Sequence, residues 1–266
     1  LFSAQVLPPG KIVRNMAEWE ESQGYMVTWR SYPSMLREIV RYGKEECRMY
    51  IVTTNPSSVI SDLNSNGIDT INVTFINAPS NSVWVRDYGQ NTVYTNDVDS
   101  LLFVDWVYNR PRASDDTVPM ALARHLNVPV YLTTQSPNKL VATGGNWMSD
   151  GMGTAFSSDL IVHENKTGGG FGNNLTETAI DTIALKYMGI NRYIKMDTLP
   201  YDGIHHIDMH MKLLDEETIM VGEYPAGIAD GPQIEANLQY VLSNFKTSFG
   251  TDWRVVRIPM PSDNGA

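Results

Sequence analysis

The hydrophobic and polar positions follow one recurring pattern: an amphipathic helix, a turn residue, and a short strand of β-branched or aromatic residues. The turn residues are Gly or Asn, which end helices because they readily adopt left-handed backbone conformations. They are Gly43, Gly67, Asn127, Gly189 and Gly250. The strands predicted after them cover residues 48–54, 71–77, 128–133, 192–197 and 253–259. Helices that alternate with short strands predict an α/β fold.

The helix predicted over residues 175–187 illustrates how each unit packs. Its apolar stripe lies along one side, which predicts a helix lying on a sheet. The stripe contains Leu175, Ala179, Ile180, Ile183 and Ala184. The last four turn residues follow one another at intervals of 60, 62 and 61 residues, which indicates a structural repeat.

Each repeat also contains a polar and aromatic segment at the same distance from its turn residue. The segments cover residues 84–89, 144–151 and 205–210. Asp87 lies 20 residues after its turn residue, and Asn146 and Asp208 each lie 19 after theirs. Equivalent positions in repeats that pack around an axis meet near that axis, so we expect the three segments to form one charged site.

The third segment contains three histidines, His205, His206 and His210. In a strand, His206 and Asp208 lie two residues apart on the same face, with His210 farther along it and His205 on the opposite face. A metal site built from these histidines remains an alternative. Against it, adjacent residues cannot share a strand face, and the sequence has neither a His-Glu-x-x-His motif nor a set of cysteine ligands.

Two carboxylates held in one site repel each other unless a cation neutralises them. A guanidinium group suits Asp87 and Asp208 because it is planar, permanently charged and able to donate to both. Trp84 would supply an aromatic wall through a cation–π contact. The structural alternative is a surface ion pair between Arg86 and Asp87.

Composition supports a cationic ligand and excludes several other partners. The 266 residues are 42% hydrophobic and 19% charged, as in ordinary globular domains, and the net charge is −10. That charge repels nucleic-acid phosphates and anionic membranes. The sequence has no apolar run long enough to span a membrane. We therefore expect neither nucleic acid nor a membrane span.

Several of these motifs, in this order, resemble the bacterial Porphyromonas-type peptidylarginine deiminases of the guanidino-group-modifying superfamily. The similarity extends over most of the chain. The matching motifs are Trp84-Val-Arg-Asp87-Tyr, Tyr108-Asn-Arg110-Pro-Arg112, Thr143-Gly-Gly-Asn-Trp-Met-Ser-Asp150-Gly and His206-Ile-Asp208.

The resemblance implies a pseudo-fivefold α/β propeller of ββαβ-like repeats, formed by one catalytic domain that residues 1–266 would not complete. A cysteine thiolate would attack the guanidinium carbon, ammonia would leave, and water would resolve the covalent intermediate to citrulline. Asp87 and Asp208 would hold the guanidinium nitrogens, and His206 would act as general acid and base. No cofactor is implied, although a structural ion remains open.

The resemblance also assigns the substrate-binding residues. Arg110 and Arg112 would clamp the carboxylate of a C-terminal arginine in a peptide or protein, or they form a solvated basic turn. Trp84, through the cation–π contact described above, and Asn146, to which the resemblance assigns no specific role, complete the predicted binding set. Agmatine deiminases, a sister family, typically have glutamate before the paired glycines, where this chain has Thr143. A peptide substrate is favoured, and agmatine hydrolysis or non-catalytic binding of arginine peptides remain alternatives.

The proposed chemistry needs a thiolate, and the sequence contains one cysteine, Cys47. It precedes the first predicted strand, out of phase with the polar segments, so we interpret it as structural. The repeat places the next polar segment beyond residue 266, where the resemblance implies the nucleophile. We expect either a companion C-terminal fragment that supplies it or a truncated chain that lacks it. The chain begins at Leu1 rather than Met, which indicates a processed or an engineered start. A processed start would suit a secreted or cell-surface bacterial protein.

Overall fold

The computed structural model describes residues 2–95, 100–228 and 230–261. The strands are β1 (Ala4–Gln5), β2 (Arg14–Asn15), β3 (Gly24–Thr28), β4 (Arg48–Val52), β5 (Val73–Ile76), β6 (Asn91–Tyr94), β7 (Leu101–Tyr108), β8 (Val130–Thr133), β9 (Val141–Ala142), β10 (Met148–Ser149), β11 (Thr154–Ser158), β12 (Arg192–Met196), β13 (Met211–Asp215), β14 (Thr218–Glu223) and β15 (Arg254–Pro259).

The helices lie mostly in the connections between these strands. They are α1 (Pro33–Glu46), α2 (Pro56–Ser65), α3 (Val85–Tyr88), α4 (Val118–Leu126), α5 (Leu160–Asn165), α6 (Glu177–Met188) and α7 (Gly231–Asn244), with 3₁₀ turns η1 (Asp115–Thr117), η2 (Gly144–Asn146) and η3 (Ile207–Met209). Within the described part of the chain, no helix combines the length and the apolar character needed to cross a bilayer.

Three of the sheets are built in the same way. Each has an antiparallel hairpin, and the chain then returns through helical structure to form a third strand parallel to the second. These units are β6-β7-β8, β10-β11-β12 and β13-β14-β15, and the first of them is extended by β1, β2 and β9. The sheet β3-β4-β5 is parallel throughout. The fold is therefore mixed α/β, with the ββαβ order repeated three times.

Each of the five strands predicted from the repeat is present, as β4, β5, β8, β12 and β15. The first two occupy the same sheet, so the described residues form four sheets and not five separate units. Two of the predicted helix ends are wrong. Gly43 lies inside α1, where a Cβ would approach the sulfur of Met49 to 2.6 Å, so it permits close packing and does not end the helix. Gly250 lies in a turn after α7 has already ended at Asn244.

Hydrophobic cores connect each sheet to the next. Val52 and Ile76 from the first sheet pack with Phe103 and Val130 from the second. In the same way, β6 and β7 share a core with α6, and β11 and β12 share one with β13, β14 and α7. Because every unit buries a face on its neighbour, the loops between successive units are brought to a common region.

The outer face of the last sheet is the exception. Along β15, Val256 and Ile258 are exposed, whereas apolar residues of the corresponding strand β12, Ile194 and Met196, are buried. No described helix covers this face of β13-β14-β15.

Asp105, in the centre of β7, is a buried carboxyl group whose pKa burial raises well above its usual value, with Asp116 adding to the shift. The folded state therefore holds this proton more tightly than the unfolded chain, and the free energy of unfolding should decrease as pH rises above about 4. We expect Asp105→Asn to remove the fall in unfolding free energy that ionisation of Asp105 causes as pH rises. The variant should be more stable than the wild type at pH 8 by about 1–3 kcal/mol. Urea unfolding at pH 5 and pH 8 measures the effect; an equally steep pH dependence in the variant would contradict it.

Candidate active site

Three short helical segments meet at the centre of the fold. Each lies directly before the first strand of a hairpin: α3 before β6, η2 before β10, and η3 before β13. In space, η2 lies between α3 and η3 and contacts both. Each segment lies at the entry to an equivalent hairpin, which explains why the three segments have the same spacing in the sequence. The contacts of η2 with α3 and η3 confirm the prediction that the segments converge.

Hydrogen bonds through η2 hold the three segments together. Arg86 of α3 donates from Nη2 to the carbonyl oxygen of Trp147 at 3.0 Å. The Asn146 side-chain oxygen accepts from the backbone N–H groups of Ile207, at 3.2 Å, and Ser158, at 2.8 Å. Asn146 is 4% exposed, and its amide nitrogen donates to the Ser158 carbonyl at 3.4 Å. These hydrogen bonds give Asn146 a positioning role in the site, and its predicted contact with substrate stays a prediction.

The paired glycines of η2 allow this close approach. A Cβ on Gly144 would overlap the backbone carbonyl oxygen of Arg86. A Cβ on Gly145 would overlap Nδ1 of His206 and lie 2.9 Å from Oδ1 of Asp87. The segments can approach one another this closely only with glycine at both positions. The sequence contained the signal for this, the Gly-Gly pair, but the close packing was not predicted from it.

Gly145 lies beneath the contact between two of the predicted catalytic residues. Nδ1 of His206 is 3.5 Å from Oδ1 of Asp87, and both side chains are largely buried. Nε2 of His206 is buried and has no hydrogen-bond partner among the described residues. The predicted strand around His206 and Asp208 is wrong, because the chain forms the 3₁₀ turn η3 after His206. The site is assembled from turns that end against the hairpins.

Asp208, a residue of η3, completes the group. Its Oδ2 lies 3.8 Å from Nε of Arg86, and Asp87 is close enough to influence its charge. Arg86 also forms an ion pair with Glu18, which in turn pairs with Lys212. The alternative of a surface pair between Arg86 and Asp87 is therefore not the arrangement observed. Glu18 was missed because nothing in the sequence connects it with a residue so far along the chain.

Burial sets the charge states at this site. It raises the pKa of Asp208 to about 6; Arg86 lowers it, and Asp87 raises it further. Burial also lowers the pKa of His206, with the Asp87 carboxylate acting in the opposite direction and Arg110 reinforcing the decrease. The site therefore favours an added cation beside the carboxyl groups and a neutral imidazole able to accept a proton.

The predicted binding residues surround this group at different distances. Tyr108 at the end of β7 pairs with Ala142 at the end of β9, so the following residues leave the same sheet edge. This places Arg110 within electrostatic range of His206. Arg112 donates to the hydroxyl group of Tyr108 at 3.2 Å. Trp84 immediately precedes α3 and is 51% exposed, free to line a cleft.

The other histidines do not join His206. His205 has a left-handed backbone conformation, with φ of 63°, and its carbonyl oxygen accepts from the Ser158 hydroxyl group at 2.6 Å. His210 is buried, which lowers its pKa to about 4. Among residues 2–95, 100–228 and 230–261, no group of three or more His, Cys, Asp or Glu side chains is arranged to hold a metal ion.

Cys47 lies between α1 and β4, at the amino-terminal end of the first sheet. At the opposite end of this sheet, the Thr28 hydroxyl group is 2.6 Å from that of Tyr88 in α3. A five-residue strand separates these ends by roughly 16 Å, since a strand advances about 3.3 Å per residue. Cys47 is therefore remote from the Asp87 side of the site.

Solved structures share this arrangement of sheets. The "Putative Arginine Deiminase" of Porphyromonas gingivalis superposes with a TM-score of 0.76 over 94% of this chain and 77% of that chain, at 19% identity. An agmatine deiminase of Enterococcus faecalis superposes with a TM-score of 0.77 over 97% of this chain and 74% of that chain, at 16% identity. At these identities the similarity establishes a common mixed α/β fold.

Sequence comparison extends beyond the fold. A protein of Legionella pneumophila (strain Paris) named "Putative agmatine deiminase" is 27% identical over 142 residues, which cover 52% of this chain and 39% of that protein. The family model for Porphyromonas-type peptidyl-arginine deiminase matches residues 14–265. This match includes α3, η2 and η3 and so contains the whole of the site described above. The chain belongs to the Porphyromonas-type peptidyl-arginine deiminase family.

Proposed function

We propose that the protein hydrolyses the guanidinium group of a C-terminal peptidyl-arginine to give citrulline and ammonia. The observation that carries this proposal is the contact between Asp87 and His206 beside Gly145, with the Asp208 carboxyl group close enough to Asp87 for the two charges to interact. Family membership supports guanidino-group hydrolysis. The peptide substrate is favoured by Arg110 and Arg112, which suit a free carboxylate.

In the proposed reaction, Asp87 and Asp208 bind the guanidinium nitrogens and orient the central carbon. A cysteine thiol gives its proton to His206, and the thiolate forms a bond to this carbon. The bond to the departing nitrogen breaks as His206 returns the proton, and ammonia leaves. Water then adds to the carbon while His206 takes its proton. The carbon–sulfur bond breaks, the thiol regains a proton from His206, and citrulline forms after loss of the proton that the guanidinium carried.

We propose that the thiol comes from a segment beyond residue 266, because Cys47 lies at the wrong end of the first sheet. The uncovered face of β13-β14-β15 supports this. A cavity of about 200 Å³ beside this sheet is lined by Asp208, Met220, Ile258 and Met260, among others. A segment covering this face would reach Asp208, and it would add a further unit to the four described sheets, completing a pseudo-fivefold propeller.

Release of citrulline and ammonia from a peptide ending in arginine tests the proposal. The same peptide with an amidated C-terminus, and agmatine, serve as comparison substrates, and the intact mass of every polypeptide in the sample is measured alongside. We expect turnover only where a second, cysteine-containing polypeptide is present, with the free C-terminal peptide preferred at least tenfold. Faster turnover of agmatine than of the peptide would favour agmatine hydrolysis. Tight binding of the peptide without turnover, in a sample that contains the second polypeptide, would favour a binding module. Full activity of the 266-residue chain alone would refute the interpretation of Cys47 as a structural residue.

A further inference from the structure

A second group of polar side chains lies beside the candidate active site, at the edge where β7 and β9 end together. Asn109 follows β7 and Thr143 follows β9, and the last residues of the two strands are paired. Asn109 is 3% exposed and Thr143 is 2% exposed. Two polar side chains are thus buried at one sheet edge, on the side from which Arg110 also extends.

The hydrogen bonds of this group are incomplete. Nδ2 of Asn109 donates to Oε1 of Glu164 in α5 at 2.8 Å. Oδ1 of Asn109 and Oγ1 of Thr143 are buried and have no hydrogen-bond partner in the described part of the chain. A buried acceptor without a donor destabilises the fold, so atoms of this kind are expected where a ligand supplies the missing donor.

Glu164 brings a carboxyl group to the same place, and this group becomes negatively charged as the pH rises through about 7. Burial raises the pKa of its carboxyl group to about 7, while the Asn109 hydrogen bond and the charge of Arg110 lower it. Arg110 is close enough to both Glu164 and His206 to influence their pKa values. Because Asn109 directly precedes Arg110 and donates to Glu164, the acceptor oxygens of Asn109 and Glu164 lie on the Arg110 side of the candidate active site.

We propose that Asn109 and Glu164 bind the α-nitrogen of the substrate arginine, accepting its N–H donors while Arg110 holds the carboxylate. The inference rests on the proposed function, because it assumes that the guanidinium group of the same ligand occupies the site between Asp87 and Asp208. The single amide N–H of a peptide substrate can donate to one of these acceptors, whereas an ammonium group can donate to both and is also attracted by the Glu164 carboxylate. The α-nitrogen is an ammonium in free arginine, a single amide N–H in a peptide, and the primary ammonium of agmatine.

Binding to the 266-residue chain tests this without any need for turnover. Calorimetry would compare four guanidines: arginine, with both α-groups; agmatine, with the ammonium only; 5-guanidinopentanoic acid, with the carboxylate only; and butylguanidine, with neither. Nα-acetylarginine distinguishes an amide N–H from an ammonium. We expect the wild-type chain to bind agmatine at least about tenfold more tightly than butylguanidine, since a hydrogen bond to a charged group contributes about 1.5–3 kcal/mol.

The matched variants are Glu164→Gln and, as a control, Glu46→Gln at the exposed end of α1. Glu164→Gln is expected to weaken binding of arginine and agmatine about tenfold and to leave binding of 5-guanidinopentanoic acid and butylguanidine unchanged, whereas Glu46→Gln alters none of them. If Glu164→Gln lowers the affinity for all four ligands equally, or for none of them, the α-nitrogen site is refuted but the proposed guanidinium site is not. If butylguanidine does not bind the wild-type chain either, the proposed function itself fails.

Discussion

Replacing Asp208 with asparagine is expected to weaken guanidinium binding at least about 30-fold and to abolish measurable turnover. The substitution keeps the size of the side chain but removes the charge that faces the cation. Truncating one member of a buried charge pair typically costs 2–5 kcal/mol. Calorimetric titration of arginine into the chain measures the first effect, and citrulline release from the active protein measures the second. Asp252→Asn is the matched control, because Asp252 is an exposed carboxylate paired with Lys246.

The same substitution should stabilise the fold, which separates loss of function from misfolding. Because burial raises the pKa of Asp208 to about 6, ionising this group costs the folded state free energy above that pH. The difference in unfolding free energy between Asp208→Asn and wild type should be near zero at pH 4 and reach about 1–2 kcal/mol above pH 6. Binding of butylguanidine, which has no α-group for Glu164 to bind, should weaken in the wild-type chain as pH falls below 6, and the variant should lack this dependence. A variant that binds arginine normally would remove Asp208 from the guanidinium site.

The meeting of the three polar segments was predictable because it depends on periodicity. A repeat of about 60 residues places Asp87, Asn146 and Asp208 at equivalent positions, and equivalent positions in mutually packed units converge. The same reasoning predicted the strands after each turn residue, since β-branched and aromatic runs are local signals. The sequence did not show that the first two strands share one sheet, because this depends on which edges pair.

Local backbone conformation within the site was harder to predict. His206-Ile-Asp208 has the composition of a strand, yet it enters a 3₁₀ turn held by a backbone N–H group that donates to Asn146, 61 residues earlier. Asn146 was placed in the site because it lies in phase with Asp87, and its contact with substrate stays a prediction. Its hydrogen bonds to the backbone of Ser158 depend on tertiary contacts and could not be predicted from the sequence.

Partners of charged residues were the least predictable feature. Arg86 lies next to Asp87 in the sequence but pairs with Glu18 and Asp208, because consecutive residues of a helix point in different directions. The assignments of Asp87, His206 and Asp208 to guanidinium binding and catalysis remain predictions, as do the roles of Trp84, Arg110 and Arg112. The Asp208→Asn variant tests one of these assignments directly.

Replacing Gly145 with alanine is expected to reduce turnover and guanidinium affinity by about 100-fold with little change in overall stability. The added Cβ would meet the ring of His206 and lie 2.9 Å from the carboxylate of Asp87, so these two side chains must move apart. Gly145 does not have a positive φ, so alanine can adopt its backbone conformation. A displacement of about 1 Å at reacting groups is enough for an effect of this size.

Gly144→Ala supplies the contrast, because there the added Cβ meets the backbone carbonyl of Arg86 and no side-chain rotation relieves the overlap. This variant should lower the free energy of unfolding by about 3 kcal/mol or more, the upper range for overpacking. Gly10→Ala, which has open space around the new Cβ, controls for the substitution itself. Thermal unfolding and arginine titration of all three chains should show Gly145→Ala folded but weakly binding and Gly144→Ala destabilised. If Gly145→Ala binds arginine as tightly as Gly10→Ala does, the contact between Asp87 and His206 is not part of the guanidinium site.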